Sequence, residues 1–501
     1  MKKTKIAAVI MSAALLAGMT GCESETTPST PTGGTAPTAA PATTAPATTA
    51  DPDEDAATDQ KVNEISSKDY TPDGNAGKIR YLGYYDLAGD QKSSEPYLIF
   101  HSDQYGGEIE YINCSSGSAY FDALGTMIAS DDSPDLVLYE WLSFPGGMSK
   151  GMYEPLDEYF DTDTELWSGM AKTIEDFAYK GKHYYYPFRM RTYFALNYNR
   201  RTIEEAGLKD PSELYKEGNW TWDTWRDLMI DFCNISDDNI GYISAADVLA
   251  SVVATTGVNL VDVQPDGTAV DNLADPNVLR AMQFIEDLYR YGLMHQKQLG
   301  DWVSPDVWAV NSDHALFLGL EPSWCYEAAT KKIQNPPGVE NDVHDTVSDF
   351  AFVPFPRDPN ADKYYQACDS YGYMVPKGAK NIKGSVDWIY CNRVYETDEN
   401  VIARTRQQHI SPDPITFVEG KFAGERKWQM TWDESVYDML LDLTDPTKFE
   451  FNFDDCYGFN SELSTTIIGS MLDEVGFNGG SYSQLSNQYI PVIDDIIGSV
   501  G

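Results

Sequence analysis

The chain has 501 residues and a formal net charge of −42, with 36 Lys and Arg residues against 78 Asp and Glu residues. Because nucleic-acid phosphates are bound by concentrated basic side chains, this balance excludes a nucleic-acid partner. The length is sufficient for two or three domains, and the charge is typical of a soluble surface protein whose ligand is neutral or whose site keeps a local basic pocket.

The first residues have the pattern of an export signal. Three lysines within the first five residues precede an apolar run from Ile6 to Met19, which is too short to cross a bilayer core of about 30 Å. The run ends in small residues before Cys22 and resembles a bacterial lipoprotein signal. This resemblance implies a signal peptide over residues 1–21 and a lipidated Cys22 that anchors the protein on the extracytoplasmic face of the cell membrane.

Residues 22–76 have the composition of a tether. A Thr-, Pro- and Ala-rich tract is followed by the acidic run DPDEDAATD. Such a segment buries too little apolar surface to offset its chain entropy, so we predict that it is disordered. A Pro-rich stalk of this kind would let the folded part stand clear of the membrane.

Six cysteines remain after Cys22, and none belongs to a CxxC pair or a Cys/His cluster with zinc spacing. A domain of this size does not need disulfides, so we interpret these cysteines as buried thiols. The acidic run at 161–165 lacks the glycine and the bidentate acid of a calcium loop. We therefore expect no metal and no cofactor.

The folded part begins with a strand–helix–strand pattern. A β-rich run at 78–87 is followed by a predicted strand at 108–117, an amphipathic helix from Ser118, and a buried strand from Asp135 to Tyr139. This order predicts a βαβ unit and a parallel sheet. Ligands of such sheets gather at the carboxyl ends of strands, which makes Glu140 and Trp141 candidates.

An aromatic and basic stretch follows at 179–200. Alternation places Arg189, Arg191 and Tyr193 on one face of a predicted strand and Met190 on the other. Aromatic and guanidinium groups concentrated in so acidic a chain suggest a binding site. Structural ion pairs of the two arginines are an equally valid interpretation.

Several short motifs follow one another along the chain in a characteristic order. They are Pro134-Asp135-Leu136-Val137, Glu154-Pro155-Leu156-Asp157, Gly181-Lys182-His183-Tyr184 with Pro187, Leu196-Asn197-Tyr198-Asn199-Arg200, Ala206-Gly207-Leu208 with Pro211, and Thr221-Trp222-Asp223-Thr224-Trp225. In this order and spacing, the chain resembles the extracellular solute-binding proteins of family 1, the substrate-capturing lipoproteins of sugar ABC importers. The resemblance covers most of residues 78–501.

The resemblance implies an α/β, two-lobed periplasmic-binding-protein-like fold, each lobe a mostly parallel sheet flanked by helices. It places lobe 1 at 77–194 with 370–408 and lobe 2 at 195–369 with 409–501, joined by a hinge that the chain crosses more than once. The run from Tyr193 to Asn199 would be the first crossing strand. The implied partners are an oligosaccharide in the cleft and ABC permease subunits in the membrane, with the protein acting as a monomer.

Carbohydrate is bound by aromatic faces that stack on sugar rings and by polar side chains that bond hydroxyls. Our candidates lie at predicted strand ends, loops and crossings: Tyr84, Tyr85, Asp86, Glu140, Trp141, Tyr186, Arg189, Trp302, Trp308, Trp324, Asp369, Tyr371 and Tyr373. Core packing is the alternative for each large aromatic residue. In the family a glycine usually precedes the tryptophan that corresponds to Trp324, whereas here Pro322-Ser323 does.

Two other functions remain open from the residues. A secreted glycoside hydrolase needs only two suitably spaced acids, and acids are abundant throughout the chain. However, no nucleophile elbow, zinc-protease motif or phosphate loop is present, so we predict a binding protein rather than an enzyme. A glycan-sensing or adhesive lipoprotein without a transporter would use the same fold.

Overall fold

The computed structural model describes residues 65–87, 96–296, 314–326, 349–410, 415–416, 426–427, 432–453 and 458–499. Three residues singled out from the sequence lie outside these ranges: Cys22, the predicted lipid anchor, and the candidate ligand-binding residues Trp302 and Trp308. The described strands are β1 (Gly77–Gly83), β2 (Gly107–Asn113), β3 (Leu136–Leu138), β4 (Tyr186–Arg191), β5 (Ala195–Asn199), β6 (Ile240–Ser244), β7 (Val261–Val263), β8 (Ala269–Asp271), β9 (Met294–Gln296), β10 (Ala315–Leu320), β11 (Phe350–Val353), β12 (Tyr365–Ala367), β13 (Asp369–Met374), β14 (Ile415–Thr416), β15 (Arg426–Lys427) and β16 (Glu450–Asn452).

Helices connect most of these strands. The α-helices are α1 (Pro96–Tyr105), α2 (Ser118–Ala129), α3 (Glu165–Ser168), α4 (Ala171–Asp176), α5 (Arg200–Glu205), α6 (Pro211–Lys216), α7 (Trp222–Cys233), α8 (Ala250–Ala254), α9 (Pro276–Arg290), α10 (Ile382–Thr397), α11 (Glu399–Ile410), α12 (Glu434–Asp442), α13 (Ser470–Phe477) and α14 (Tyr482–Gly498). A 3₁₀ turn spans Asp247–Leu249, and π-helical turns span Ser143–Gly147 and Glu462–Gly469.

The first sheet has the strand order β2-β1-β3-β13-β4. Strand β1 pairs in parallel with β2 and β3, while β13 runs antiparallel to β3 and β4. Four of the five strands therefore point the same way. The predicted βαβ unit is confirmed, since α2 lies between β2 and β3 in the chain.

The second sheet has the order β11-β5-β10-β6-β9. Strand β5 runs antiparallel to β10 and β11, and β6 runs parallel to β10 and β9. Each sheet thus contains one reversed strand. Strands β10 and β11 are buried along their whole length, as expected for strands covered on both faces.

One short link joins the two sheets, and a second joins the first sheet to the separate two-stranded sheet of β12 and β16. Residues 192–194 connect β4 to β5, and Cys368 separates β12 from β13. The Sγ atom of Cys368 lies 3.0 Å from the carbonyl oxygen of Arg191, so Cys368 contacts the end of β4 directly before the first link. The strand predicted from Tyr193 begins only at Ala195, because the chain leaves one sheet and enters the other at this point.

One face of the first sheet packs against α10. Trp388 and Tyr390 of α10 are buried there together with Tyr81 of β1. The other face contributes Leu82 and Val137 to a second core that continues through the helices and strands around the second sheet. Burial of large aromatic side chains is a dominant source of stability in such cores.

Local sequence signals account for several of these elements. Thr221 begins α7 with a reciprocal capping box with Thr224, which satisfies backbone donors at the helix start. The turn-forming sequence Pro265-Asp266-Gly267 joins β7 to β8 as a hairpin, with Gly267 at a φ of 88° in the turn. Among the described residues, no helix is long and apolar enough to cross a membrane.

Candidate ligand-binding site

The carboxyl edge of the first sheet collects polar and aromatic side chains. Tyr84 and Tyr85 follow β1, and Glu140 lies beyond the end of β3. Arg191 ends β4 and pairs in register with Asp369, the first residue of the reversed strand β13. Because three strands end where β13 begins, these five residues lie at one edge of the sheet.

The second sheet contributes the segment that follows β10. Glu321 is only 7% exposed, and its carboxylate accepts hydrogen bonds from the Ser323 hydroxyl at 2.5 Å and from the Trp324 backbone N–H at 2.6 Å. The Trp324 side chain is 47% exposed. Glu321 therefore fixes the backbone from which an exposed indole ring projects.

Arg191 connects the two edges. Its guanidinium Nη1 lies 3.6 Å from Oδ2 of Asp369. Its central carbon is 4.9 Å from the ring centroid of Tyr371 and 5.7 Å from that of Trp324, which are cation–π distances. Side chains from both sheets thus converge on one guanidinium group.

Glu140 is a largely buried acid of this cluster whose pKa is raised. The Tyr84 hydroxyl donates to its Oε1 atom at 2.6 Å. The pKa of Glu140 is raised to about 7, mainly by burial and in part by the nearby Asp369, against the opposing effects of the Tyr84 hydrogen bond and of Arg191. Burial also raises the pKa values of Asp369 and Glu321, against the attraction of Arg191. Carboxyl groups with raised pKa values are a common feature of functional sites.

Arg189 lies beside this cluster. Its guanidinium is 4.7 Å from the Tyr371 ring centroid and forms an ion pair with Glu396 of α10 at 3.3 Å. The side chain remains 48% exposed. Arg189 and Arg191 therefore both form ion pairs, and both also contact the face of Tyr371.

The structure places two of the candidate tyrosines in the core. Tyr186 is 1% exposed and stacks on Phe160, with ring centroids 4.1 Å apart. Tyr373 is 5% exposed and packs edge-on against Trp388. Tyr186 begins β4, at the opposite end from Arg191, and α10 covers Tyr373. We therefore leave both residues out of the proposed site.

The remaining candidates differ in their surroundings. Asp86 and Trp141 are partly buried and directly follow Tyr85 and Glu140 in the chain. Arg191 and Glu321 are not among the thirteen candidates that the sequence predicts. Glu321 has one usable signal in the sequence, since it is an acid placed between an apolar strand and a tryptophan.

A separate cavity of about 840 Å³ lies against the edge strand β9, lined by residues such as Tyr289, His295 and Phe477. It shares no lining residue with the Arg191 cluster.

In the described part of the chain, no group of three or more His, Cys, Asp or Glu side chains is arranged to hold a metal ion. Cys114, Cys233 and Cys368 are free thiols.

Solved structures of binding proteins share this fold. A solute-binding protein of an ABC transporter from Thermotoga lettingae TMO, bound with alpha-D-tagatose, has a TM-score of 0.54 at 16% identity, over 84% of this chain and 100% of that chain. The sugar-binding protein MalE from Xanthomonas citri has a TM-score of 0.56 at 15% identity, over 84% and 98%. UgpB from Mycobacterium tuberculosis, in complex with glycerophosphocholine, has a TM-score of 0.56 at 13% identity, over 84% and 99%.

These neighbours confirm the predicted two-lobed fold of periplasmic binding proteins. A comparison with curated protein sequences finds no match. The family model of the bacterial extracellular solute-binding proteins matches residues 99–412, and both this family and the structural neighbours are binding proteins rather than enzymes. The chain therefore belongs to the bacterial extracellular solute-binding proteins.

Proposed function

We propose that this protein captures a carbohydrate, most simply an oligosaccharide, between its two sheets and presents it to the permease of an ABC importer. The observation that carries the proposal is the convergence on Arg191 of an exposed indole from one sheet and polar groups from the other. Exposed aromatic faces beside charged hydrogen-bonding groups are what a sugar ring requires. The alpha-D-tagatose bound to the Thermotoga protein and the description of MalE as a sugar-binding protein support this choice.

Capture would be coupled to movement of the lobes. The links at 192–194 and Cys368 lie directly beside Arg191 and Asp369. A ligand that contacts both edges would favour the state in which the edges are close, by binding that state more tightly. Ligand contacts and the hinge would then share one continuous stretch of chain.

The first experiment is a thermal-shift screen of glycans on protein that begins near residue 76, followed by calorimetry on each compound that raises the melting temperature. We expect saturable binding of an oligosaccharide that is recovered intact. Release of reducing ends over hours would replace the receptor with a hydrolase. Binding without any loss of sugar uptake in a deletion strain would favour the sensing or adhesive alternative.

We further propose that Cys22 is the lipid anchor. A Cys22→Ser variant of the full chain should appear in the medium rather than the membrane fraction. Cys114→Ser is the matched control, because Cys114 carries a partly buried thiol of the folded part. Retention of the Cys22→Ser variant in the membrane fraction would contradict the anchor.

A further inference from the structure

The binding edge contains more negative than positive charge. Three carboxyl groups, those of Glu140, Glu321 and Asp369, interact with the single guanidinium of Arg191. The neighbouring cation, Arg189, forms an ion pair with Glu396. One cation can pair with one carboxylate, so two of the three acids in this described cluster have no cationic partner, and the raised pKa values show that their ionised forms are disfavoured.

The three acids are not equivalent. Both oxygens of Glu321 accept hydrogen bonds from its own segment, so Glu321 positions Trp324. Asp369 accepts from the Ser370 backbone N–H at 2.7 Å and pairs with Arg191. Glu140 accepts the Tyr84 hydroxyl through Oε1, and its Oε2 atom has no hydrogen-bond partner among the described residues. Glu140 is therefore the acid with a free acceptor at this edge.

The aromatic faces at the same edge already contact cations. Tyr371 has the guanidinium groups of Arg189 and Arg191 at 4.7 and 4.9 Å from its centroid. The exposed rings of Trp324 and Tyr84, at 47% and 38%, offer further faces. Ring faces attract cations as well as sugar C–H groups, so the aromatic and the acidic side chains favour the same kind of ligand.

We propose that the ligand is a saccharide that carries a protonated basic nitrogen, as in an amino sugar, and that the nitrogen binds at Glu140 and Asp369 beside the exposed aromatic rings. This inference rests on the proposed function, because it specifies the ligand of the same cleft. An ammonium group would supply the missing positive charge, while the ring stacks on Trp324. A neutral saccharide would give the two acids no cationic partner.

The effect of pH follows from the surroundings of Glu140. The groups that face it from neighbouring elements are Tyr84, Tyr85, Cys114, Tyr120, Tyr153, Arg191 and Asp369. A bound ammonium favours the ionised carboxylate, so a protonated Glu140 must release its proton on binding. Affinity for an amino saccharide should therefore weaken as the pH falls below neutral.

The test compares diglucosamine with cellobiose, which differ by an amino group in place of a hydroxyl on each ring, by calorimetry on the folded protein. Diacetylchitobiose, which has uncharged nitrogens, and choline, which is a cation without a sugar, complete the set. We expect diglucosamine to bind about tenfold more tightly than cellobiose at about pH 7. The difference should shrink at about pH 5 and in a Glu140→Gln variant. Glu213→Gln, at an exposed position on α6, is the control and should keep the preference.

The results distinguish failure of the basic-nitrogen inference from failure of the proposed carbohydrate-binding function. Cellobiose or diacetylchitobiose bound as tightly as diglucosamine would overturn the basic-nitrogen inference and leave a carbohydrate receptor. Choline binding without any saccharide binding would overturn the carbohydrate function and support a cation site. A preference for diglucosamine that survives Glu140→Gln and Asp369→Asn would show that other residues bind the nitrogen.

Discussion

The guanidinium of Arg191, on the last residue of β4, lies 5.7 Å from the centroid of the Trp324 indole. Arg191 belongs to the first sheet, and Trp324 follows β10 of the second. This contact therefore bridges the two carboxyl edges. It also places an exposed ring next to the charged cluster in which we expect the ligand.

Replacement of Trp324 tests the stacking surface. Trp324→Ala should weaken saccharide binding by about 1 kcal/mol or more, because the ligand would lose an aromatic face. Since the indole is 47% exposed, the free energy of unfolding should change little. Calorimetry and urea denaturation measure the two quantities. Tyr291→Ala removes a more exposed ring outside this cluster and is the control. Unchanged affinity with lower stability would assign Trp324 to the core.

Glu140 should make stability depend on pH. Its pKa is raised from 4.5 to about 7 by burial, so between these values the folded state holds a proton that the unfolded state has lost. Stability from this group is therefore present below about pH 4.5 and is lost as the pH rises through about 7. Glu140→Gln should raise the free energy of unfolding at about pH 8 by about 1 kcal/mol or more, and should change it less at about pH 5.

Urea denaturation at the two pH values measures this difference. The exposed Glu213→Gln variant controls for the loss of one negative charge from an acidic protein. A Glu140→Gln effect of equal size at both pH values would contradict the assigned titration.

His101 should make the protein less stable at acidic pH. It is buried against Trp388, its Nε2 atom has no hydrogen-bond partner among the residues that the structure describes, and burial lowers its pKa from 6.5 to about 4. Here the unfolded state binds the proton first, so stability falls as the pH drops from about 6.5 towards 4. His101→Phe keeps a ring of similar size. Between about pH 7 and 5, the free energy of unfolding of this variant should fall by about 2 kcal/mol less than that of the wild-type protein.

The measurement is the free energy of unfolding of both proteins across this range. His183→Phe is the control, since His183 lies near Asp157 and Glu175 in a partly exposed position. If the free energy of unfolding of the His101→Phe variant fell as steeply towards acidic pH as that of the wild-type protein, the role of His101 would be refuted.

Tyr70 should hold the segment before β1 against the first sheet. Its ring stacks on Tyr390 of α10 at 3.7 Å, and its hydroxyl donates to the buried carboxylate of Asp387. Lys383 is the other described partner of that carboxylate, at 2.6 Å. Tyr70→Phe keeps the stacking but removes one donor, and should lower stability by about 1 to 2 kcal/mol.

Thermal and urea unfolding measure this loss. Tyr291→Phe, at a position 61% exposed, should have no measurable effect. Equal stability of the Tyr70→Phe variant and the wild-type protein would mean that Lys383 alone satisfies Asp387.

The sequence by itself determined the elements whose signals are local. The Pro265-Asp266-Gly267 turn, the Thr221 cap and the strand–helix–strand order before Glu140 depend on residues close together in the chain, and the structure contains all three. The succession of short motifs was sufficient to identify the two-lobed fold. Strand ends also made Tyr84 and Glu140 candidates, and the structure shows that both lie at the edge where Asp369 begins β13.

Only the tertiary structure decided which of the aromatic and charged residues meet. Tyr371 lies in the charged cluster while Tyr373, two residues later on the same strand, lies under α10, and periodicity cannot distinguish them. The roles of Arg191 and Glu321 depend on contacts between β4 and the segment after β10, which are far apart in the chain. Such contacts arise from the packing of two sheets at their carboxyl edges, and the spacing of residues along the chain does not predict that packing.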